Sequence, residues 1–337
     1  MERRYGTALG FVNPGLSCGV PPLFLALALL LLAPAGVPAQ GLPAYRPINP
    51  VAASRSGVGF EAFRVPVPGR WQADVGVEYA STIEFDENAQ ASYYLDSELL
   101  RARATVYRDL SSRAFLLAEA EVLGAYAGVL DGFLEWYHDL LGIEIPERER
   151  RPKNDFLYAA DLPGENPLLR HSSNLFLGDL RLGAGFRIHP RVQSVLALTL
   201  PTSTGPLGYG REVVSVSLLN TLSLPISERL LLEAGLGGGY TPATGALESL
   251  QRELFASGSA GLRWRFWGRQ SLFGNFFLHS PYYHDAGVPA LDQRDLSLDF
   301  GWILAGDHGR ELRIGMSEDL EPKGPAVDLV FRVGAGF

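Results

Sequence analysis

"AVDLVFRVGAGF", residues 326–337, closes the 337-residue chain and alternates residue by residue. Val327, Leu329, Phe331, Val333, Ala335 and Phe337 fall on one face of an extended chain, and Asp328, Val330, Arg332, Gly334 and Gly336 on the other. A period of two with one apolar face describes a strand that has an apolar medium on one side only. Whether that medium is a protein core or lipid decides the fold.

Working back from the end, the same alternation recurs in about a dozen segments centred on 71–84, 92–108, 114–126, 174–188, 191–201, 212–224, 229–241, 253–266, 271–280, 295–305, 311–318 and 326–337. In "LFLGDLRLGAGFRI" the apolar positions are Leu180, Leu182, Ala184, Phe186 and Ile188, against Asp179, Arg181, Gly183, Gly185 and Arg187. Short turns such as "DLSSR" (109–113), "PISER" (225–229) and "GDHGR" (306–310) alternate with longer links, of which 127–173 is the longest. Short turns at one rim and long loops at the other characterise a membrane barrel, and an even strand count puts both ends of the barrel at the short-turn rim. Aromatic residues near strand ends, including Trp71, Tyr107, Trp264, Trp267 and Trp302, suit interfacial girdles. A soluble secreted sandwich would also alternate. The loop asymmetry and the start of the chain favour the barrel.

That start reads as an export signal over residues 1–39. Arg3 and Arg4 precede the apolar run "LFLALALLLLAPAG", and Val37-Pro38-Ala39 offers a cleavage site. Cys18 leaves with it, so the mature chain offers no disulfide, thiolate or cysteine metal site. Removing two arginines and one glutamate takes the formal charge from −8 to −9, which speaks against nucleic acid as a partner. No cofactor motif and no metal-ligand spacing stands out. Residues 40–70 are proline-rich and without a period, and fit either a periplasmic tail or a plug. The barrel proper spans 71–337, with 127–173 as a long extracellular loop. Within it "GVLDGFLEWYHDLLGI" repeats apolar residues at helical spacing, an amphipathic helix with Gly142 placed to end it.

The polar faces of successive strands carry Asp74 and Glu78, then Arg101 and Arg103, then Glu119 and Glu121, then Asp179 and Arg181. Later come Glu233 beside Arg263, Asp299 beside Arg313, and finally Asp328 and Arg332, which closure would bring to Asp74 and Glu78. Opposite charges on neighbouring strands pair across the ladder, and a partly dry lumen demands partners. A structural network and a solute-selecting constriction both follow from such a set. One catalytic pattern invites comparison. His171 and Ser173 in "RHSSN" could form a nucleophile and its base in a lipid-acting outer-membrane hydrolase. The surrounding residues, Leu175-Phe176 and Gly185, lack the rest of that motif.

The stretches "RPINP", "LDGFLEWYHDLLGI" with "RPKNDF", "SNLFLGDLRLGAGFRI" and "LALTLPTSTG" together resemble the bacterial outer-membrane family catalogued as domain of unknown function 3187. The resemblance implies a barrel fold and an outer-membrane location, and carries no activity to any residue. The expectation is therefore an all-β, porin-like transmembrane barrel of about twelve strands. It would meet outer-membrane lipid, reach the barrel assembly machinery through its last strand with Phe337 as the signal, and act as a small or plugged channel or as a structural barrel. A small solute is its expected cargo.

Overall fold

The structure is a computed structural model that describes residues 41–142, 151–206, 208–321, 324–325 and 327–337. The expected export signal, 1–39, lies outside the described residues.

Twelve antiparallel strands close into a barrel. In chain order they are β1 (Trp71–Glu87), β2 (Ser92–Asp109), β3 (Ala114–Tyr126), a fourth made of β6 (Ser173–Leu177) running into β7 (Leu180–His189), then β8 (Val192–Leu200), β9 (Ser215–Pro225), β10 (Leu230–Tyr240), β11 (Leu254–Trp267), β12 (Gln270–His279), β13 (Asp295–Ala305), β14 (Glu311–Asp319) and β15 (Leu329–Gly336). Each pairs with its sequence neighbour, and β15 returns to β1, with Glu78 opposite Arg332 and Asp74 opposite Gly336. The seam ends where Phe337 N donates to Ala73 O at 2.9 Å and Ala73 N donates to Phe337 O at 3.2 Å. The first and last strands of the wall thus find each other at the seam, as a sheet in lipid requires.

The outer wall is apolar because one residue in two points at it. Leu182, Phe186, Leu196, Leu236, Phe276, Ile314 and Val333 are exposed there, while Arg181, Gln193, Asn275 and Asp299 on the alternate positions are buried inside. So wide an exposed apolar band suits lipid and not water. Trp71, Trp264 and Trp267 stand exposed near the short-turn rim. Tyr107, expected in that girdle, instead points into the lumen and donates from its hydroxyl to Glu61 Oε1 at 2.5 Å.

The segment 174–188, read from sequence as one strand, breaks at Gly178–Asp179. β6 pairs Val122 with Leu177, whereas β7 pairs Glu119 with Arg181, so the register slips by one residue between them. The slip is a bulge, and it reverses the alternation: Phe176 is buried inside while Leu175 and Leu177 face out. The long loop is also more structured than its sequence suggests. β4 (Leu157–Asp161) adds to the outer half of β2, and β5 (Leu168–Arg170) adds to β4. β1 and β2, at 17 and 18 residues, exceed the roughly 9–11 that cross a bilayer and carry this extension above it.

Residues 41–64 form a hairpin inside the lumen, tied by an antiparallel bridge between Tyr45 and Phe60 and turning at α1 (Pro50–Arg55). The hairpin's Leu42, Tyr45 and Phe60 pack with the inward Phe273, Phe277 and Ile303 of β12 and β13. The loop helix α2 (Asp131–Leu141) ends at Gly142 in the left-handed region, φ 68°. It lies on the outside of the wall. Glu98, on the outward face of β2, accepts from Val129 N at 2.7 Å and from Leu130 N and the Tyr79 hydroxyl. Phe133 meets Phe331 with ring centroids 5.9 Å apart, and the Tyr137 hydroxyl donates to Glu318 at 3.1 Å. The helix does not enter the lumen.

Candidate solute pathway and the charges that fill it

A twelve-strand barrel is wider than the eight-strand kind that side chains alone can fill. Here the N-terminal hairpin fills the remainder, and ionic groups of wall and hairpin interlock. Arg46 is the hub: its Nη2 lies 2.6 Å from Glu61 Oε2 and 3.3 Å from Glu119 Oε2, and its Nη1 donates to Phe60 O at 2.7 Å. Glu119 on β3 is also approached by Arg181, by Arg103 at 3.5 Å and by the Thr105 hydroxyl at 3.0 Å. Three guanidinium groups thus converge on one buried carboxylate, which in turn needs them to stay ionised in a dry place.

A second cluster straddles the seam. Arg101 donates from Nε to Glu78 at 2.6 Å, and donates to the hairpin carbonyls of Pro47 and Arg46 at 2.7 Å each. Arg332 lies 3.5 Å from Glu78 and 2.8 Å from Asp299, with its guanidinium 4.6 Å from the centre of the Tyr45 ring. Asp74 takes Arg313. Nearer the short-turn rim Arg263 pairs with Glu311 at 2.8 Å, and Glu233 accepts from the hairpin's Leu42 N at 2.8 Å. Some partners therefore differ from the sequence expectation. Glu233 serves hairpin backbone and not Arg263, Asp299 takes Arg332 and not Arg313, and Asp74 takes Arg313 of β14 across β15. The reason is reach: an arginine spans diagonally to the next strand but one, which a strand-by-strand list does not capture.

Three expected members stand apart. Asp179 sits in the bulge and organises the outer loop, accepting from Thr202 N and Ser203 N at 3.0 Å and from Arg211 N at 2.8 Å. Asp328 precedes β15 at the outer rim, beyond the last seam pair of Ser81 and Leu329, and so does not reach Asp74. Glu121 is half-buried against the bulge, its side chain beside Gly178. His171 is exposed and Ser173 stands opposite Ala125, with no hydrogen bond between them among the described residues. A nucleophile and base need such a bond and an orienting third group.

Arg46, Glu61 and Glu311 escaped the sequence reading. The first two lie in a segment without a period, where nothing assigns a side chain to a face, and Glu311 abuts a turn. Beside the hairpin, a cleft of about 400 Å³, open solvent included, is left between Pro43–Ala44 and the wall charges Asp74, Glu78, Asp299 and Arg313. Small lumen residues make the hairpin's seat: a Cβ built on Gly235 would lie 3.4 Å from the Phe60 ring, and one on Gly261 2.7 Å from Leu42 Cδ1.

The barrel thus holds a charged hairpin in its lumen and carries an amphipathic helix strapped outside. The family described as "Protein of unknown function (DUF3187)" matches residues 61–337. The chain belongs to that family. No curated protein sequence matches it. Among solved structures it is similar to an outer membrane channel from Pseudomonas putida F1, with a TM-score of 0.51 and 13% identity over 81% of this chain and 97% of that one. It is more distantly similar to the NanC porin, at 0.44 and 7% over 80% and 99%, and to the Pseudomonas putida toluene transporter TodX, at 0.41 and 11% over 89% and 98%. At such identities the likeness of the first concerns the fold. The family model begins at Glu61, within the descending arm of the hairpin, and takes in every wall strand.

Proposed function

We propose that this chain is exported to the outer membrane and acts there as a channel or transporter for small polar solutes, held shut by residues 41–64, with no catalytic role. One observation carries the reading. Among the described residues, every hydrogen bond between residues 41–64 and the wall involves a side chain, whereas the wall itself is a complete backbone ladder. A filler fixed in that way can shift without opening the barrel, since only side-chain contacts must be exchanged for water or solute. Paired charges along the wall would then line the path and favour polar cargo over apolar cargo. Outer-membrane lipid covers the apolar band and α2, and the last strand, ending on Phe337, offers itself to the assembly machinery.

The test is single-channel conductance of the refolded full chain in planar bilayers. The wild-type protein should show small or no steady conductance. Replacing Glu61 by glutamine, which keeps its shape, together with Arg46 by methionine, which keeps its apolar stem, removes both charges and should raise the frequency of openings. A large stable wild-type pore contradicts the plug. A correctly folded double variant as silent as the wild type would make the molecule a sealed structural barrel.

A further inference from the structure

The outer end of the hairpin meets a second group of arginines that the lumen network does not use. A cleft of about 440 Å³, solvent included, lies between α1 and the outer loops and is lined by Arg55, Arg170, Arg211, Tyr158 and Tyr283, with Glu212 as its one carboxylate. The enclosed part holds roughly three water-sized bodies.

Arg55 and Arg211 are each 3% exposed, and neither has an acidic partner within 4.0 Å among the described residues. Arg55 spends Nη1 on Pro242 O at 2.9 Å and Nη2 on Thr241 O and Arg252 O at 2.6 and 3.1 Å, while its buried Nε has no partner. Arg211 donates to Ser215 Oγ at 3.0 Å and to Ala53 O of the hairpin at 3.1 Å. Carbonyls and a hydroxyl satisfy donors but do not neutralise charge. Burial above all, with Arg181 next, pushes Arg211 down to about 9, and burial pushes Arg55 down as well. A guanidinium does not give up its proton in a protein, so the direction reports a cation that the carboxylates in range, Asp179 and Glu121 for Arg211 and Glu253 for Arg55, compensate only in part. An anion is what such a place lacks.

We propose that this cleft binds a small oxyanion, a carboxylate or a phosphate, of about the size of acetate to lactate. A guanidinium can donate to two oxygens at once, those of a flat carboxylate or of one edge of a tetrahedral phosphate, and the tyrosine rings with Leu168 and Leu247 wall a short carbon body. Because Ala53 and Arg55 belong to the hairpin and Arg211 to the loop before β9, the bound anion joins plug to rim. The inference goes beyond the channel reading, since binding needs no gradient and holds for a sealed barrel as well as a conducting one.

Titration calorimetry of the refolded full chain in detergent, in low-chloride buffer, tests it with acetate, lactate and inorganic phosphate against neutral acetamide. Acetate and lactate binding favours a carboxylate source, and phosphate binding a phosphate source; either supports the site. Arg211→Gln should weaken binding at least tenfold, with the barrel checked by heat-modifiable mobility. Glu212→Gln, which leaves the arginines in place, should tighten it several-fold and serves if the first variant does not fold. Acetamide binding as well as acetate, or unchanged affinity in a folded Arg211→Gln, overturns the proposal.

Discussion

Arg46 of the lumen hairpin and Glu119 of β3 lie 73 residues apart and meet inside the barrel, Nη2 to Oε2 at 3.3 Å, with Glu61 Oε2 at 2.6 Å from the same nitrogen. One side chain thus fastens both arms of the hairpin to the wall. Arg46→Met removes the charge while keeping the stem, and leaves the Glu61 carboxylate, among the described residues, with the Tyr107 hydroxyl as its hydrogen-bond partner. Breaking a buried pair by removing one partner costs roughly 3–5 kcal/mol. The hairpin should become susceptible to added protease between residues 41 and 64 while the wall retains its heat-modifiable mobility. Equal protection in variant and wild type would show that apolar packing alone seats the hairpin.

The seat itself can be spoiled from the wall. Gly235 of β10 faces the lumen, where its Cβ would stand 2.5 Å from the movable Ser259 Oγ and in contact with the Phe60 ring at 3.4 Å. Gly235→Leu needs the volume that Phe60 occupies, so the ring should be displaced and conductance should rise, as with the charge variants but by a steric route. Conductance indistinguishable from wild type in a folded Gly235→Leu barrel would mean that Phe60 repacks locally.

Phe337 closes the seam by exchanging two backbone hydrogen bonds with Ala73 and buries its ring at 7% exposure. Deleting it leaves Ala73 with an unpaired donor and acceptor at the membrane edge. Assembly into the outer membrane, followed by the folded fraction in membrane extracts, should fall several-fold. Normal assembly would remove Phe337 from the account of targeting.

Outside the wall, Glu98 holds the start of α2 through two backbone donors and the Tyr79 hydroxyl. Glu98→Ala should loosen the helix by about 1 kcal/mol or more, as loss of a capping acceptor does. Cleavage by added protease within 127–142 should quicken while the barrel strands stay protected. Unchanged cleavage would assign the anchoring to Phe133, Phe331 and Tyr137 instead.

The strands were legible because lipid imposes one rule on every residue of the wall. Outward means apolar, so positions such as Leu180, Leu182, Phe186 and Ile188 announce their face. The rule fails where the backbone departs from it. Nothing in "SNLFLGDLRL" marks Gly178–Asp179 as a bulge, since both alternations read acceptably, and Asp179 was placed in the lumen for that reason. Residues 41–64 obey no period because a hairpin surrounded on all sides has no two faces to distinguish, so Arg46 and Glu61 were invisible as site residues. Arg55 and Arg211 were hidden likewise, in a turn and a loop.

The sequence by itself therefore determined the strands, their even count, the rim on which the long loops lie and the sign of the charges turned inward, because each follows from local alternation and connection length. Only the tertiary structure decided which charge meets which, that the N-terminal segment fills the lumen, and that α2 lies outside it. Those facts depend on the barrel's diameter and on the reach of arginine across strands, properties of the closed wall that no single segment contains.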